Sequence, residues 1–220
     1  MNLLAIDTAT ERCSVALRID ARWFERSVDT QRGHADIVLS MVDEVLKESG
    51  ARLSDLAGIA YGRGPGAFTG VRIAIGVVQG LAFGARLPTA GVSNLAAVAQ
   101  QVASQGPRIL VCMDARMNEV YWGCFEPDAN GLVAAASEER LTAPEDVLPL
   151  RAPGVLVGSA AAAYPQLAAR FADVAQVAAL PRARDVLLLG ERELREGRGG
   201  DAFDAQPVYL RDQVTFVKPR

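Results

Sequence analysis

A chain of 220 residues, half apolar and 22% charged, is long enough for one large domain or two small lobes with ordinary cores and too well mixed to be disordered. Its net charge of −3 and pI near 5.3 exclude the overall basic footprint of a sequence-independent nucleic-acid binder. One histidine, His34, and three cysteines, Cys13, Cys112 and Cys124, with no C-x-x-C pair, exclude a histidine-rich metal site and a disulfide framework. The thiols fit a reducing compartment. No basic region opens the chain and Asp7 interrupts its first apolar run, so no signal peptide is expected. The longest apolar stretch, 71–85, contains Arg72 and Gln79 and is expected to fall short of a membrane span.

Leu3-Leu4-Ala5-Ile6 reads as a strand closing on Asp7, followed by a turn and two further strands, Cys13–Leu17 and Arg22–Val28. The opening is therefore a β-meander. A helix is predicted over His34–Ser49, where Val38, Met41, Val42, Val45 and Leu46 recur at spacings of three and four and Gly50 supplies the C-cap. The strand Gly58–Tyr61 runs into a glycine loop, 62–70, and a second helix over Val71–Ala85. Thr69 is its predicted N-cap, and Phe68 and Ile73 form a hydrophobic staple. Pro88 ends that helix, and Ser93–Gln105 is a third. At Gly106-Pro107 the pattern restarts. Leu110-Val111-Cys112-Met113-Asp114 repeats the opening strand and its aspartate, Val120–Phe125 follows, and helices are predicted over Ser159–Phe171 and Arg182–Glu196. The repeat predicts two lobes of similar topology, 1–106 and 107–205, with 206–220 packing back on the first.

No Asp or Glu occurs between Asp55 and Asp114, whereas Arg63, Arg72, Arg86 and Arg108 do. A buried core explains the missing acids. Arg63 and Arg72 also flank the glycine loop at a helix start, where backbone N–H groups and the helix dipole favour an anion. The loop is not a Walker A sequence. Its Gly62-x-Gly64-x-x-Ala67 pattern lacks the acid about 20 residues on that a dinucleotide fold uses.

The 71–85 helix shows no polar face. Gly76, Gly80 and Gly84 lie on one stripe, and each mid-helix glycine costs about 1 kcal/mol relative to alanine. A close helix neighbour is expected there, from the same chain or from a second subunit, and the subunit is the preferred reading. No G-x-S-x-G motif and no Cys–His pairing occur, so neither a serine nor a thiol enzyme is indicated. Asp7 and Asp114 end strands, where a carboxylate can hold a metal or phosphate-bound water, or cap a turn.

Four segments occur in order: Leu4-Ala5-Ile6-Asp7-Thr8-Ala9-Thr10, Tyr61-Gly62-Arg63-Gly64-Pro65-Gly66-Ala67-Phe68-Thr69-Gly70-Val71-Arg72-Ile73, Asp114-Ala115-Arg116-Met117-Asn118-Glu119-Val120-Tyr121-Trp122, and Pro207-Val208-Tyr209-Leu210-Arg211. Over essentially its whole length the chain resembles the TsaB (YeaZ) family. The resemblance implies an α/β, two-lobed actin/Hsp70-like (ASKHA) fold with a duplicated β-meander plus helices. It also implies a cytoplasmic, non-catalytic subunit that pairs with the transferase TsaD and the ATPase TsaE. That complex makes N6-threonylcarbamoyladenosine at position 37 of tRNAs reading ANN codons, so tRNA is contacted through the complex, and the subunit alone forms a homodimer. The interface expected is His34, Val38, Met41, Val45, Arg72, Gly76, Gly80 and Gly84. The residues expected to face phosphate or nucleotide are Asp7, Thr8, Arg63, Gly64, Gly66 and Thr69. Nucleotide-binding members of the superfamily carry Asp-x-Gly-Thr where this chain has Asp7-Thr8-Ala9-Thr10, which argues against tight cofactor binding by this chain alone and leaves ATP or ADP to a site shared in the complex. No metal site is expected. The rival readings are a glycoprotease-type peptidase and a small-molecule kinase of the same superfold.

Overall fold

The computed structural model describes residues 1–149 and 151–211. Residues 212–220 of the segment expected to fold back lie outside the described residues. The first sheet contains β1 (Leu3–Asp7), β2 (Arg12–Ile19), β3 (Arg22–Asp29), β4 (Gly58–Gly62) and β5 (Thr89–Val92), in the order β3-β2-β1-β4-β5. The second contains β6 (Ile109–Asp114), β7 (Val120–Pro127), β8 (Val133–Ala135), β10 (Val155–Val157) and β11 (Ala175–Val177), in the order β11-β10-β6-β7-β8, with β9 (Arg140–Thr142) also paired to β7. In each, the leading strand has an antiparallel neighbour on one side (β2, β7) and a parallel one on the other (β4, β10). Asp7 and Asp114 thus close topologically equivalent strands, which bears out the duplicated two-lobed fold.

The outer face of the first sheet is covered by α1 (His34–Ser49) and α2 (Phe68–Ala85). Leu4, Ile6, Val15 and Leu17 meet Val38, Met41 and Val45 of α1 and Val71, Ala74 and Val78 of α2 in one core. Burial of such aliphatic side chains contributes roughly 1.5–3 kcal/mol each. This packing corrects one expectation. Val38, Met41 and Val45 are at most 4% exposed, because their three-and-four spacing is the stripe that faces the sheet; they are not available to a partner. Burial also pushes the Cys13 thiol up to about 11, with the nearby Asp7 adding to the rise, so it is no nucleophile at neutral pH.

The second core joins the lobes. Leu3, Ala5 and Ala60 of the first sheet and Ile109, Val111 and Met113 of the second share it with α3 (Asn94–Gln100) and α6 (Ala183–Arg195). The two helices exchange sheets. α3, from the first half of the sequence, packs on β6, β7 and β8, and α6, from the second half, packs on β1, β2, β4 and β5. A boundary at residue 106 therefore does not divide the packing. Other boundaries also shift for local reasons. The helix predicted over 93–105 ends at Gln100, with Ser93 as its N-cap accepting from Leu95 N and Ala96 N. The one predicted over 159–171 is broken by Pro165 into α4 (Ala160–Ala163) and α5 (Pro165–Arg170). α2 starts at Phe68 behind an N-cap at Ala67, which leaves Thr69 inside its first turn.

α6 is tied to the start of the chain through Glu191, which receives the N-terminal ammonium (3.1 Å), Arg18 (2.5 Å) and Arg195 (2.9 Å). Burial opposes ionisation of Glu191, but these hydrogen bonds together outweigh it and hold the carboxyl down at about 2. Its folded pKa lies below the unfolded value, so this stabilisation is complete above about pH 4.5 and disappears as pH falls towards 2. Glu191→Gln is expected to lower stability at pH 7 by about 1–2 kcal/mol, after allowance for solvent screening, and to flatten the acid limb of a urea-unfolding pH series.

Candidate functional site

The turn after β1 and the glycine loop after β4 close on each other. Asp7 is fully buried at the end of β1. Its Oδ1 accepts from Ala9 N at 3.3 Å and its Oδ2 from Asn94 Nδ2, while Asn94 Oδ1 accepts from Gly64 N at 2.8 Å. One buried amide side chain thus links both loops. Thr8 Oγ1 donates to Gly70 O at 2.6 Å, and Ala67 N donates to Ala9 O at 2.7 Å, so the first turn of α2 sits directly on the β1 turn. Only glycine permits this approach at position 70, where a Cβ would lie 2.1 Å from Thr8 O.

Burial raises the Asp7 carboxyl to about 6, against the lowering effect of its bonds to Asn94 and Ala9. The folded pKa lies above the unfolded one, so ionisation is penalised in the folded state. Stability falls as pH rises from about 4 through 6. Over that interval the loss is expected to be about 2 kcal/mol, and Asp7→Asn should remove it from a urea-unfolding pH series.

Between the lobes lies a cleft of about 1200 Å³. Its walls are the β1 turn, the segment Gln31–Asp36 that starts α1, the first turn of α2, and Met113–Arg116 with Ser159 from the second lobe. Thr8, Gly66 and Thr69 line it; Asp7, Arg63 and Gly64 do not. Arg63 lies instead beside β5, its N–H bonded to Val92 O, and its charge acts on Glu139, whose carboxyl burial raises while a hydrogen bond from Ser93 and Arg63 lower it. His34 lines the cleft as the first residue of α1, is 8% exposed, and has a buried Nε2 with no hydrogen-bond partner among the described residues. It therefore faces the cleft and not the outer surface expected of an interface residue. Among the described residues no cluster of three or more His, Cys, Asp or Glu could hold a metal ion.

The second feature is the outward face of α2. Only six of its eighteen residues are buried. By length and composition alone it could cross a membrane, but its inner face is embedded in the first core. Gly76, Gly80 and Gly84 are exposed, and among the described residues nothing lies within 4 Å of where each Cβ would project. Of the two neighbours the sequence allowed, a helix of the same chain is not found on this stripe among the described residues. Aromatic pairs stand at either end of this stripe. Phe68 stacks on Tyr209 with ring centroids 5.6 Å apart, and Arg72 lies 3.3 Å from the Phe68 centroid. Phe83 meets Phe203 edge-on at 5.7 Å. Phe68, Phe83 and Phe203 are 53%, 67% and 70% exposed. The sequence reading missed Asn94, Phe83 and Phe203. A polar residue just inside the apolar third helix was the available signal for Asn94; the aromatic pairs had none, because they join positions far apart in the chain.

Residues 28–217 match the family described as TsaD: tRNA N6-adenosine threonylcarbamoyltransferase. A relative from Escherichia coli, named tRNA threonylcarbamoyladenosine biosynthesis protein TsaB, is 41% identical over 99% of this chain and 98% of its own. The chain belongs to the TsaB family. The protein of the same name from Haemophilus influenzae is 37% identical over 99% of this chain and 97% of its own. The solved structure of YeaZ from Pseudomonas aeruginosa is 41% identical, covers 95% of this chain and 99% of its own, and superposes with a TM-score of 0.85. A second Pseudomonas aeruginosa structure, with a TM-score of 0.86, is described only as similar to peptidase YEAZ. Family membership and the duplicated sheets together assign the actin/Hsp70-like fold.

Proposed function

We propose that this chain is a non-catalytic subunit in the formation of N6-threonylcarbamoyladenosine at position 37 of ANN-decoding tRNAs, that it acts in the cytoplasm, and that it binds and stabilises the transferase TsaD through the open face of α2. The exposed glycine stripe between two aromatic ends carries this reading. An apolar helix face of this kind fits a partner helix at close range, since glycines let backbones approach and aromatic rims anchor the contact. One face takes one occupant, so a homodimer formed through it gives way when TsaD is added. TsaE and tRNA join through the assembled complex.

The inventory of side chains supports the absence of catalysis. Among the described residues no nucleophile is bonded to the buried Nε2 of the one histidine, which argues against a peptidase. A kinase of this superfold needs an accessible acid and free amides at the phosphate turn. Here Asp7 is buried, and the N–H and C=O of Ala9 are bonded within the protein. Any ATP or ADP at the cleft is accordingly held with help from the partners. The purified chain alone is expected to release no phosphate from ATP above background. Turnover that is abolished by Asp7→Asn would establish the kinase reading instead.

A further inference from the structure

The segment Gly200–Arg211 runs as a strap along α2 and then crosses to the second lobe. It starts at a bridge between Gly200 and Thr89, at the end of the first sheet. Ala202 and Ala205 are buried in the first core, and Ala205 O accepts from Gln79 of α2 at 2.9 Å. Gln206 N donates to Tyr61 OH at 3.1 Å, and Val208 N donates to Arg63 O at 2.8 Å. These bonds fix Phe203 beside Phe83 and Tyr209 beside Phe68, about 22 Å apart along the helix by its rise of 1.5 Å per residue.

Beyond Tyr209 the strap reaches the β6–β7 turn. Arg211 donates to Ala115 O at 3.0 Å and to Glu119 at 2.5 Å, and its guanidinium lies 2.8 Å from the Met117 sulfur. Between Ala115 and Glu119, Arg116, Met117 and Asn118 all adopt left-handed backbone, with φ of 60°, 56° and 58°. Three such side-chain-bearing residues in succession are costly and persist only where surrounding bonds hold them. Arg211 supplies bonds on both sides of the turn, and Arg116 within it pairs with Asp114 at 2.8 Å on the cleft wall.

We infer that the strap is a working part of the partner-binding surface: Phe203 and Tyr209 are its aromatic anchors, and Arg211 ties that surface to the strained second-lobe turn at the cleft. This rests on the reading that TsaD docks on α2. A partner helix lying on the glycine stripe touches both strap aromatics, which restrains the strap and, through Arg211, the turn. Docking on the first lobe therefore stiffens a wall of the cleft in the second.

The test is hydrogen exchange of the full chain with and without TsaD from the same organism, beside binding titrations of variants. In the wild type, TsaD should slow exchange in peptides covering 68–85 and in those covering 114–120. Phe203→Ala and Tyr209→Ala should each weaken binding about tenfold or more with little change in melting temperature, as expected for exposed aromatic anchors. Tyr209→Phe should restore binding, since the ring makes the contact. Arg211→Gln should keep the protection of 68–85 and lose that of 114–120. If 68–85 is protected while 114–120 is unchanged in the wild type, or if both alanine variants bind normally, the strap inference fails and docking on α2 stands. If 68–85 gains no protection, docking on α2 fails and the strap inference fails with it.

Discussion

Gly62→Ala is expected to destabilise the chain by at least about 3 kcal/mol, because its Cβ would enter the most constrained point of the fold. That Cβ would lie 1.8 Å from Asp7 Oδ2 and within 2.9 Å of both Asn94 amide atoms. Neither side chain can swing aside cheaply. Asp7 is short, fully buried and held from both oxygens, and Asn94 is bonded to Gly64 as well. Removing the carboxylate should make room. Asp7→Ala combined with Gly62→Ala is therefore expected to be at least about 1 kcal/mol more stable than the sum of the two single effects predicts, as contacting sites allow. Urea unfolding of the two singles and the double measures this coupling, and strict additivity would show that the clash is relieved elsewhere.

Gly80→Leu should act in the opposite sense on the isolated chain. Its side chain points into open space, and replacing a mid-helix glycine raises helix propensity by roughly 0.5–1 kcal/mol. Melting temperature should hold or rise. At an interface the same side chain holds the opposing helix away. Overpacking costs about 1–3 kcal/mol, which is roughly a tenfold to hundredfold loss of affinity. Thermal unfolding and titration calorimetry on the same variant separate the two effects. A lowered melting temperature with unchanged association would mean that the stripe packs internally in solution.

Much of the fold was legible because it rests on local patterns. The meander, the helix over His34–Ser49 and the restart at Leu110 follow from periodicity and turn residues, and the repeated strand-aspartate pair announced the duplication. The exchange of α3 and α6 between sheets was hidden, since both read only as helices and nothing local says which sheet covers them. β5, β10 and β11 were too short to rise above the apolar background. At the surface, the spacing that identified Val38, Met41 and Val45 as one stripe could not tell a core from an interface; the glycine stripe, with no side chain to bury, was the better guide to an open face. The strand-end position of Asp7 is compatible with facing phosphate and with capping a turn, and its bond from Ala9 N and its burial fit the turn. Its buried Oδ2 accepts from Asn94, 87 residues further along the chain, a pairing no local pattern announces.

The most direct test is reconstitution of the complete tRNA-modifying system from purified components, with modified adenosine 37 as the readout. Wild-type chain, no chain and Gly80→Leu are compared in the presence of TsaD and TsaE. Modification is expected to require this chain, to be absent when TsaD is omitted, and to fall with Gly80→Leu in step with loss of the TsaD complex, recovering as the variant's concentration is raised. Modification by this chain without TsaD, or full activity from a Gly80→Leu variant that no longer binds TsaD, would contradict a non-catalytic subunit acting through α2.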